Sequence, residues 1–389
     1  MDQAIESAMQ NNKSIITSNL QQEYQTQFKK TLLETPKTDV SLMFGQYNSV
    51  SKKDNNISIS QSIPFPTLYG ANAALGNALI MEAEMKTAYS KNELKYQVSQ
   101  TYYFLQFLYD EASFLNKQDS LLSTYYQSVS VKYNAGDVSQ LEVINAETRL
   151  NDVKNRLRQN NSNRESYHVL FQMLLGASSR VEIADKSLIY KPNVFQMDSS
   201  AIASNPQLAL IEQQIQVANN ERKVEVAKGL PDLKVGYFNQ SLIGTQTING
   251  QDVYFDASKR FQGFQVGASI PLFFNSYSAK VKAAEIKQNV GEQQLLTQQS
   301  MLRSEYAQAI QELQKTQEQL NYISTSALPN AEKILAMSQK AYDKGDIGYL
   351  EHLMNLKTAA EIQENYLNAL LSYNLCVAKL ILLTGQTKN

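Results

Sequence analysis

The chain has 389 residues, with 36 Lys+Arg against 37 Asp+Glu and a formal net charge of −1, so it lacks the basic field that nonspecific nucleic-acid binding needs. One cysteine, Cys376, excludes a disulfide framework, and two well-separated histidines, His168 and His352, argue against a His/Cys metal site. Gly (15) and Pro (8) are scarce, which argues against a loop-rich or disordered chain, and the length suggests two or three domains at about 150 residues each.

In chain order, the opening MDQAIESAMQNN has neither a basic n-region nor an apolar h-region. No signal peptide is expected there, which leaves open a cytoplasmic chain, a trimmed start or a segment of a longer fused chain. A helix over about 2–31 follows. Val40, Leu42 and Phe44 then alternate with Ser41, Met43 and Gly45, and Ile57, Ile59 and Ile63 with Ser58, Ser60 and Ser62. Period two predicts strands at about 40–47 and 57–63, with a polar loop Asn48–Asn56 between them. A helix free of proline from about 68 to 131 comes next, roughly 95 Å at 1.5 Å per residue. A Gly-Asp turn leads to a return helix at about 139–175.

The pattern then repeats. Tyr133-Asn-Ala-Gly136-Asp137-Val138-Ser-Gln-Leu141-Glu142 recurs as Tyr342-Asp-Lys-Gly345-Asp346-Ile347-Gly-Tyr-Leu350-Glu351. Ser62-Ile63-Pro64-Phe65 recurs as Ser269-Ile270-Pro271-Leu272, Pro36 to Val40 as Pro231 to Val235, and Asn12 to Ile15 as Asn205 to Leu208. Four colinear matches at an offset of roughly 195 to 210 residues indicate two homologous halves, 1–200 and 201–389, sharing one elongated body. The second half is expected to hold a helix at about 206–228 and strands at about 233–243 and 261–272. Gly244–Arg260 is expected as a polar loop, with a long helix at about 276–342 and a return helix at about 349–384. Apolar residues at heptad spacing (Val98, Leu105, Ala112; Tyr306, Leu313, Leu320) predict a narrow coiled-coil seam. The fold class is therefore mainly α with a small β part, four strands per chain lying at one end and the Gly-Asp turns about one helix length away. Leu367–Leu383 is apolar but broken by Tyr373, Asn374 and Lys379, and reads as a buried helix.

Four alternating strands leave open sheet edges and an uncovered apolar face. A membrane barrel built from several chains and a small soluble sheet capping a helical bundle both answer that pattern. Closed membrane barrels need at least about eight strands, so the first answer requires an oligomer. Tyr47, Tyr237, Tyr254 and Phe261 stand where interfacial aromatic anchors are expected.

Several segments resemble the TolC-type outer-membrane efflux channel family. Asp2-Gln3-Ala4-Ile5-Glu6-Ser7-Ala8 through Asn12 is similar to the start of its first repeat, and Ser62-Ile63-Pro64-Phe65-Pro66 to its strand-to-helix exit. Tyr133-x-x-Gly136 through Leu141-Glu142-Val143-Ile144-Asn145-Ala146 is similar to its periplasmic helical tip. Met173-Leu174-Leu175-Gly176 and Leu382-Leu383-Thr384-Gly385 are similar to its helix endings. The resemblance implies a homotrimer with a twelve-strand outer-membrane β-barrel, continued by a periplasmic α-barrel tunnel in a Gram-negative bacterium. It implies passive export of solutes delivered by an inner-membrane efflux pump of the RND type and a periplasmic adaptor protein. It assigns no enzymatic activity, cofactor or metal.

On that resemblance, the adaptor-facing tips are Tyr133, Gly136, Asp137, Val138, Leu141, Tyr342, Gly345, Asp346, Ile347 and Leu350. The pore entrance falls at Glu142, Glu351, His352 and Met354, and the strand-to-helix exits at Pro64, Pro66 and Pro271. Met354 stands where the family carries a second acidic residue, so a strong acidic ring is not expected. His352, at the place of Val143 in the first repeat, is expected as a solvated surface histidine, the alternative being a pH-sensing ring. His168 is expected in a partly buried packing role and Cys376 in the core. Asp137 and Asp346 are expected to cap the return helices. The competing reading is a soluble coiled-coil scaffold that binds partners along its helices. Enzymatic readings lack residues: there is no Gly-rich phosphate loop and no Gly-x-Ser-x-Gly elbow.

Overall fold

In chain order, the computed structural model shows α1 (Asp2–Asn11), α2 (Lys13–Thr31), β1 (Asp39–Phe44), β2 (Asn55–Ile63), α3 (Pro66–Ala135) and α4 (Gln140–Leu175). A 3-10 turn (Ser199–Ser204), α5 (Pro206–Lys228), β3 (Asp232–Ser241), β4 (Gly244–Ile248), β5 (Gln251–Phe255) and β6 (Arg260–Ser269) follow. The chain ends with α6 (Phe274–Tyr322), a π-helical segment (Ile323–Ala327), α7 (Leu328–Lys344) and α8 (Tyr349–Thr384). Residues 1–47, 49–192, 195 and 199–385 are described. The expected loop Asn48–Asn56 begins outside them, as does the expected second-half end at 386–389.

The chain divides into two compact units. One comprises Met1–Asn19, Thr87–Leu208 and Thr297–Asn389, the other Leu20–Lys86 and Ala209–Leu296. The first is helical. Its heptad residues Val98, Leu105, Ala112, Tyr306, Leu313 and Leu320 are all buried, as the spacing requires. Around them Ala8, Ile15, Leu94, Tyr102, Phe171 and Leu174 form one apolar cluster, and Phe114, Leu115, Leu122, Leu150 and Val153 another. Among the described residues one helix, α8, is long and apolar enough to cross a membrane, but 67% of its most apolar window is buried inside the protein. It is a core helix.

Two asparagines close this unit at matching places. The expected helix over 2–31 breaks at Asn12, which adopts an extended ψ of 127°. The break lets the Asn12 side chain accept from the Ser14 N–H (2.8 Å) and donate to the Leu174 carbonyl (2.8 Å) at the end of α4. Asn205 does the same: it accepts from the Gln207 N–H (2.8 Å) and donates to the Leu383 carbonyl (2.9 Å) at the end of α8. Each side chain caps one helix and satisfies an orphan carbonyl of another. Replacing Asn205 with Ala leaves a buried carbonyl and an uncapped helix. A loss of about 2–3 kcal/mol is expected in chemical denaturation, against less than about 0.5 kcal/mol for the exposed Asn321→Ala.

The second unit carries an antiparallel sheet of order β1-β2-β3-β6. The expected strands 40–47 and 57–63 are Asp39–Phe44 and Asn55–Ile63, because the chain turns at Gly45–Tyr47, where the Tyr47 N–H bonds the Gly45 carbonyl (2.7 Å). The expected strands 233–243 and 261–272 are Asp232–Ser241 and Arg260–Ser269. The latter stops before Pro271, which cannot extend a ladder. The four expected strands make up this sheet, and among the described residues two further strands stand apart from it. The expected loop Gly244–Arg260 contains β4 and β5, paired from Gly244↔Phe255 to Ile248↔Gln251. Asn249 (φ 55°) and Gly250 (φ 82°) supply the two positive φ angles of a tight hairpin.

The long helices also differ from expectation. α3 starts at Pro66, a residue suited to a first helical position, and runs 70 residues, about 105 Å. The expected helix over 276–342 is not uniform. Pro329 has no N–H to give, and the turn before it loosens to π geometry, with the Leu328 N–H bonding the Ile323 carbonyl.

Candidate functional site

Strand register sorts the sheet into two chemically different faces. On one, Val40, Ile59, Tyr237 and Phe264 lie in register across the four strands. Leu42 and Ile57 flank them on one side, and Val235 with Val266, then Leu233 with Ala268, on the other. Phe264 is 87% exposed and Val266 79%, so no described residue covers the face there. The opposite face carries Ser41, Ser58, Ser60, Ser62, Lys234, Gln240 and Gln265, with Phe238 and the expected anchor Phe261 among them, and Ser41 and Ser58 are hydrogen-bonded at 2.7 Å. The scaffold reading needed the apolar face buried in the protein's own core, and it is not. β2, β3 and β6 have 9, 10 and 10 residues, the length of a tilted membrane strand. β1 and β6 are the open edges. Pro64, Pro66 and Pro271 stand just after β2 and β6, where ladder pairing ends. Of the expected anchors, Tyr237 lies within β3 on the apolar face and Tyr254 within β5, so neither marks a strand end of the sheet.

In the helical unit the two Gly-Asp turns share one construction. Gly136 (φ 86°) and Gly345 (φ 80°) end their helices in the left-handed region. The following N–H groups reach back, Asp137 to the Lys132 carbonyl (2.9 Å) and Asp346 to the Ala341 carbonyl (2.8 Å). The aspartates therefore belong to the ending helix through their backbone and do not cap the next one. Ser139 caps α4, its hydroxyl accepting from the Glu142 N–H, and Gly348 opens α8 without a side-chain cap. Tyr133, Asp137, Leu141, Asp346 and Leu350 are exposed, while Val138 and Ile347 are half-buried. Glu351 and Met354 are exposed and Glu142 half-buried.

An aromatic cluster that the sequence reading missed brings the two turns together. Tyr125 of α3 stacks on Tyr349 of α8 (centroids 5.5 Å, 10° between planes) and meets Tyr342 of α7 at 6.1 Å. Val129 and Ala146 fill the space beneath, with Val138 and Val143 against them. The Lys132 ammonium sits 4.7 Å from the Tyr342 ring. Of the cluster's three tyrosines, Tyr342 and Tyr349 lie within the repeated turn motif and were the available signal.

His352 corrects the surface expectation. It is 1% exposed, stacked on Tyr342 (4.7 Å, 6°), with its Nδ1 2.9 Å from the Ser338 hydroxyl. Burial holds its pKa below the ordinary histidine value. His168 is wholly buried: its Nδ1–H donates to the Val181 carbonyl (3.2 Å) and its Nε2 faces the Tyr109 hydroxyl (3.1 Å). Cys376 is buried with its Sγ 3.2 Å from the Ala309 carbonyl, and burial pushes its thiol up to about 11. It has no thiolate chemistry at neutral pH.

A four-strand sheet with one bare apolar face, joined to helical hairpins, is the fold of outer-membrane channels. VceC, an outer membrane protein of Vibrio cholerae, superposes with a TM-score of 0.78 at 14% identity, over 99% of this chain and 95% of that one. The CmeC outer membrane channel of Campylobacter jejuni gives 0.79 at 14% identity, over 99% and 85%. The open-state MtrE outer membrane channel of Neisseria gonorrhoeae gives 0.77 at 15% identity, over 98% and 88%. These likenesses establish the fold. Residues 198–386, just under half of the chain, match the family model described as outer membrane efflux protein. No curated protein matches the chain in sequence at a significant level. The matched family is one of non-enzymatic transport conduits of the Gram-negative outer membrane and periplasm.

Proposed function

We propose that three copies of this chain form the exit duct of a tripartite efflux system. The observation that carries this reading is the sheet, with one bare apolar face, one polar face and two unpaired edges. In a bilayer every backbone polar group must be satisfied within the protein, so an open four-strand sheet cannot stay open there. Pairing the β1 edge of one copy with the β6 edge of the next closes a barrel, and three copies give twelve strands. The Val40–Phe264 face then meets lipid, and the Ser and Gln face lines a wet lumen. The helices continue as an α-barrel tunnel, and the chain is a duplication, 1–200 and 201–389, to which the matching Asn12 and Asn205 clips lend support. Solutes pass through passively, since a duct works by radius and lining charge.

The Gly-Asp turns are the docking points for a periplasmic adaptor protein, itself coupled to an inner-membrane pump of the RND type. Exposed Leu141 and Leu350, at equivalent places in the two turns, are the apolar contacts. Glu142, Glu351 and Met354 border the entrance, with too few acids for a strong cation ring. Pro64, Pro66 and Pro271 make the strand-to-helix exits. Leu141→Asp with Leu350→Asp tests the docking: efflux and adaptor crosslinking should fall at least about tenfold while the channel still reaches the outer membrane, since each change places a charge in an apolar contact. Normal efflux by this double variant would refute the assignment of the tips.

A further inference from the structure

Among the described residues, only the second of the two turns has a histidine built into its core. At the equivalent place the first has Val143, while the second has His352, enclosed by side chains from three helices. α7 contributes Ser338 and Tyr342, α3 contributes Tyr125 (6.1 Å), and α8 contributes Asn355 through Ser338. The Asn355 amide donates to the Ser338 oxygen (3.2 Å), which lies 2.9 Å from His352 Nδ1; in the tautomer whose Nδ1 is bare, the Ser338 hydroxyl is the donor of that bond. The neutral ring fits that chain. A proton on Nδ1 reverses that bond: the Ser338 oxygen then accepts from both Asn355 and His352, and its own hydrogen has to find another acceptor.

The charged groups near the ring do not offset this cost. Burial outweighs the two influences that favour a charged His352, the Asp343 carboxylate on α7 and a hydrogen bond to the Ser338 backbone. The Tyr342 ring, on which a cation could otherwise rest, already has the Lys132 ammonium of α3 beside it. The neighbouring phenols of Tyr125 and Tyr349 are uncharged at neutral pH.

We propose that His352 makes the second tip, and not the first, sensitive to mild acid, so that the α7–α8 turn loosens when the ring takes up a proton. The sign follows from linkage. A histidine whose folded pKa lies below its unfolded value of about 6.5 stabilises the turn above that value, and the stabilisation is lost as pH falls through the folded one. The consequence for the adaptor rests on the docking proposed above, but the loosening itself does not.

Amide hydrogen exchange on the detergent-solubilised channel alone tests it, read over 338–356 and over 129–146 after correction for intrinsic exchange rates. Between pH 7.5 and 5.0, exchange over 338–356 should speed up at least about tenfold while 129–146 changes less than about twofold. His352→Phe, which keeps a stacked ring but takes no proton, should abolish the difference. His352→Val, which copies the first turn, is the second control if the phenylalanine disturbs packing. A flat response in the unmodified protein, or the same response in both variants, would overturn the proposal. Because no adaptor is present, neither outcome depends on whether the tips dock one.

Discussion

Val266→Arg should prevent the protein from assembling in the membrane, whereas Gln265→Arg one residue away should not. The two side chains point to opposite faces of β6. Val266 pairs with Val235 midway along the strands and is 79% exposed, and Gln265 pairs with Gly236 on the polar face. An arginine near the bilayer midplane costs about 2–4 kcal/mol per chain, and the proposed trimer would carry three, a total comparable to the stability of a whole domain. On the lumen side the same charge is hydrated. Quantifying each variant in the outer-membrane fraction checks this. Equal assembly of the two would mean that the register does not separate a lipid face from a wet one.

The second large effect is expected at the end of α4. Gly176 has φ 66°, and a Cβ there would lie 2.2 Å from the Asn11 carbonyl oxygen and 2.6 Å from its carbon. Both are backbone atoms at the α1–α2 break, so no side chain can swing aside. Gly176→Val should cost about 3–5 kcal/mol, combining left-handed strain with overpacking, and should scatter the Asn12 clip. Gly136→Val is the matched control: φ is 86°, but nothing lies within 4 Å of the added carbon. It should show only the strain, about 1–2 kcal/mol. Thermal unfolding followed by helical circular dichroism separates the two, and equal losses would remove the close approach as the cause.

These contrasts show which parts of the molecule were legible in the sequence. Where one local period decides the outcome, reading worked. Ile57 and Ile59 alternating with serines fixed the apolar face, and the seven-residue spacing of Tyr306, Leu313 and Leu320 fixed the buried seam. The π segment before Pro329 and the β4–β5 hairpin had local signals too, a proline in a helix and an Asn-Gly pair, and both were passed over inside segments read as uniform. The break at Asn12 was different. Its neighbours are as helix-compatible as those on either side, and the reason for the break is the Leu174 carbonyl 162 residues away. His352 shows the same limit, because its burial depends on Tyr125 of α3, which the sequence around Leu350-Glu351-His352 does not reveal. The capping error at Asp137 and Asp346 arose from geometry. A residue just after a left-handed glycine gives its N–H to the helix that ends there, so the cap falls two positions on, at Ser139 and Gly348.

Native mass spectrometry of the protein extracted from outer membranes in mild detergent tests the central claim most directly. A duct closed by strands from three copies predicts a single species of three times 43.8 kDa that needs detergent to stay in solution. A protein that is soluble without detergent and weighs 43.8 kDa would contradict it.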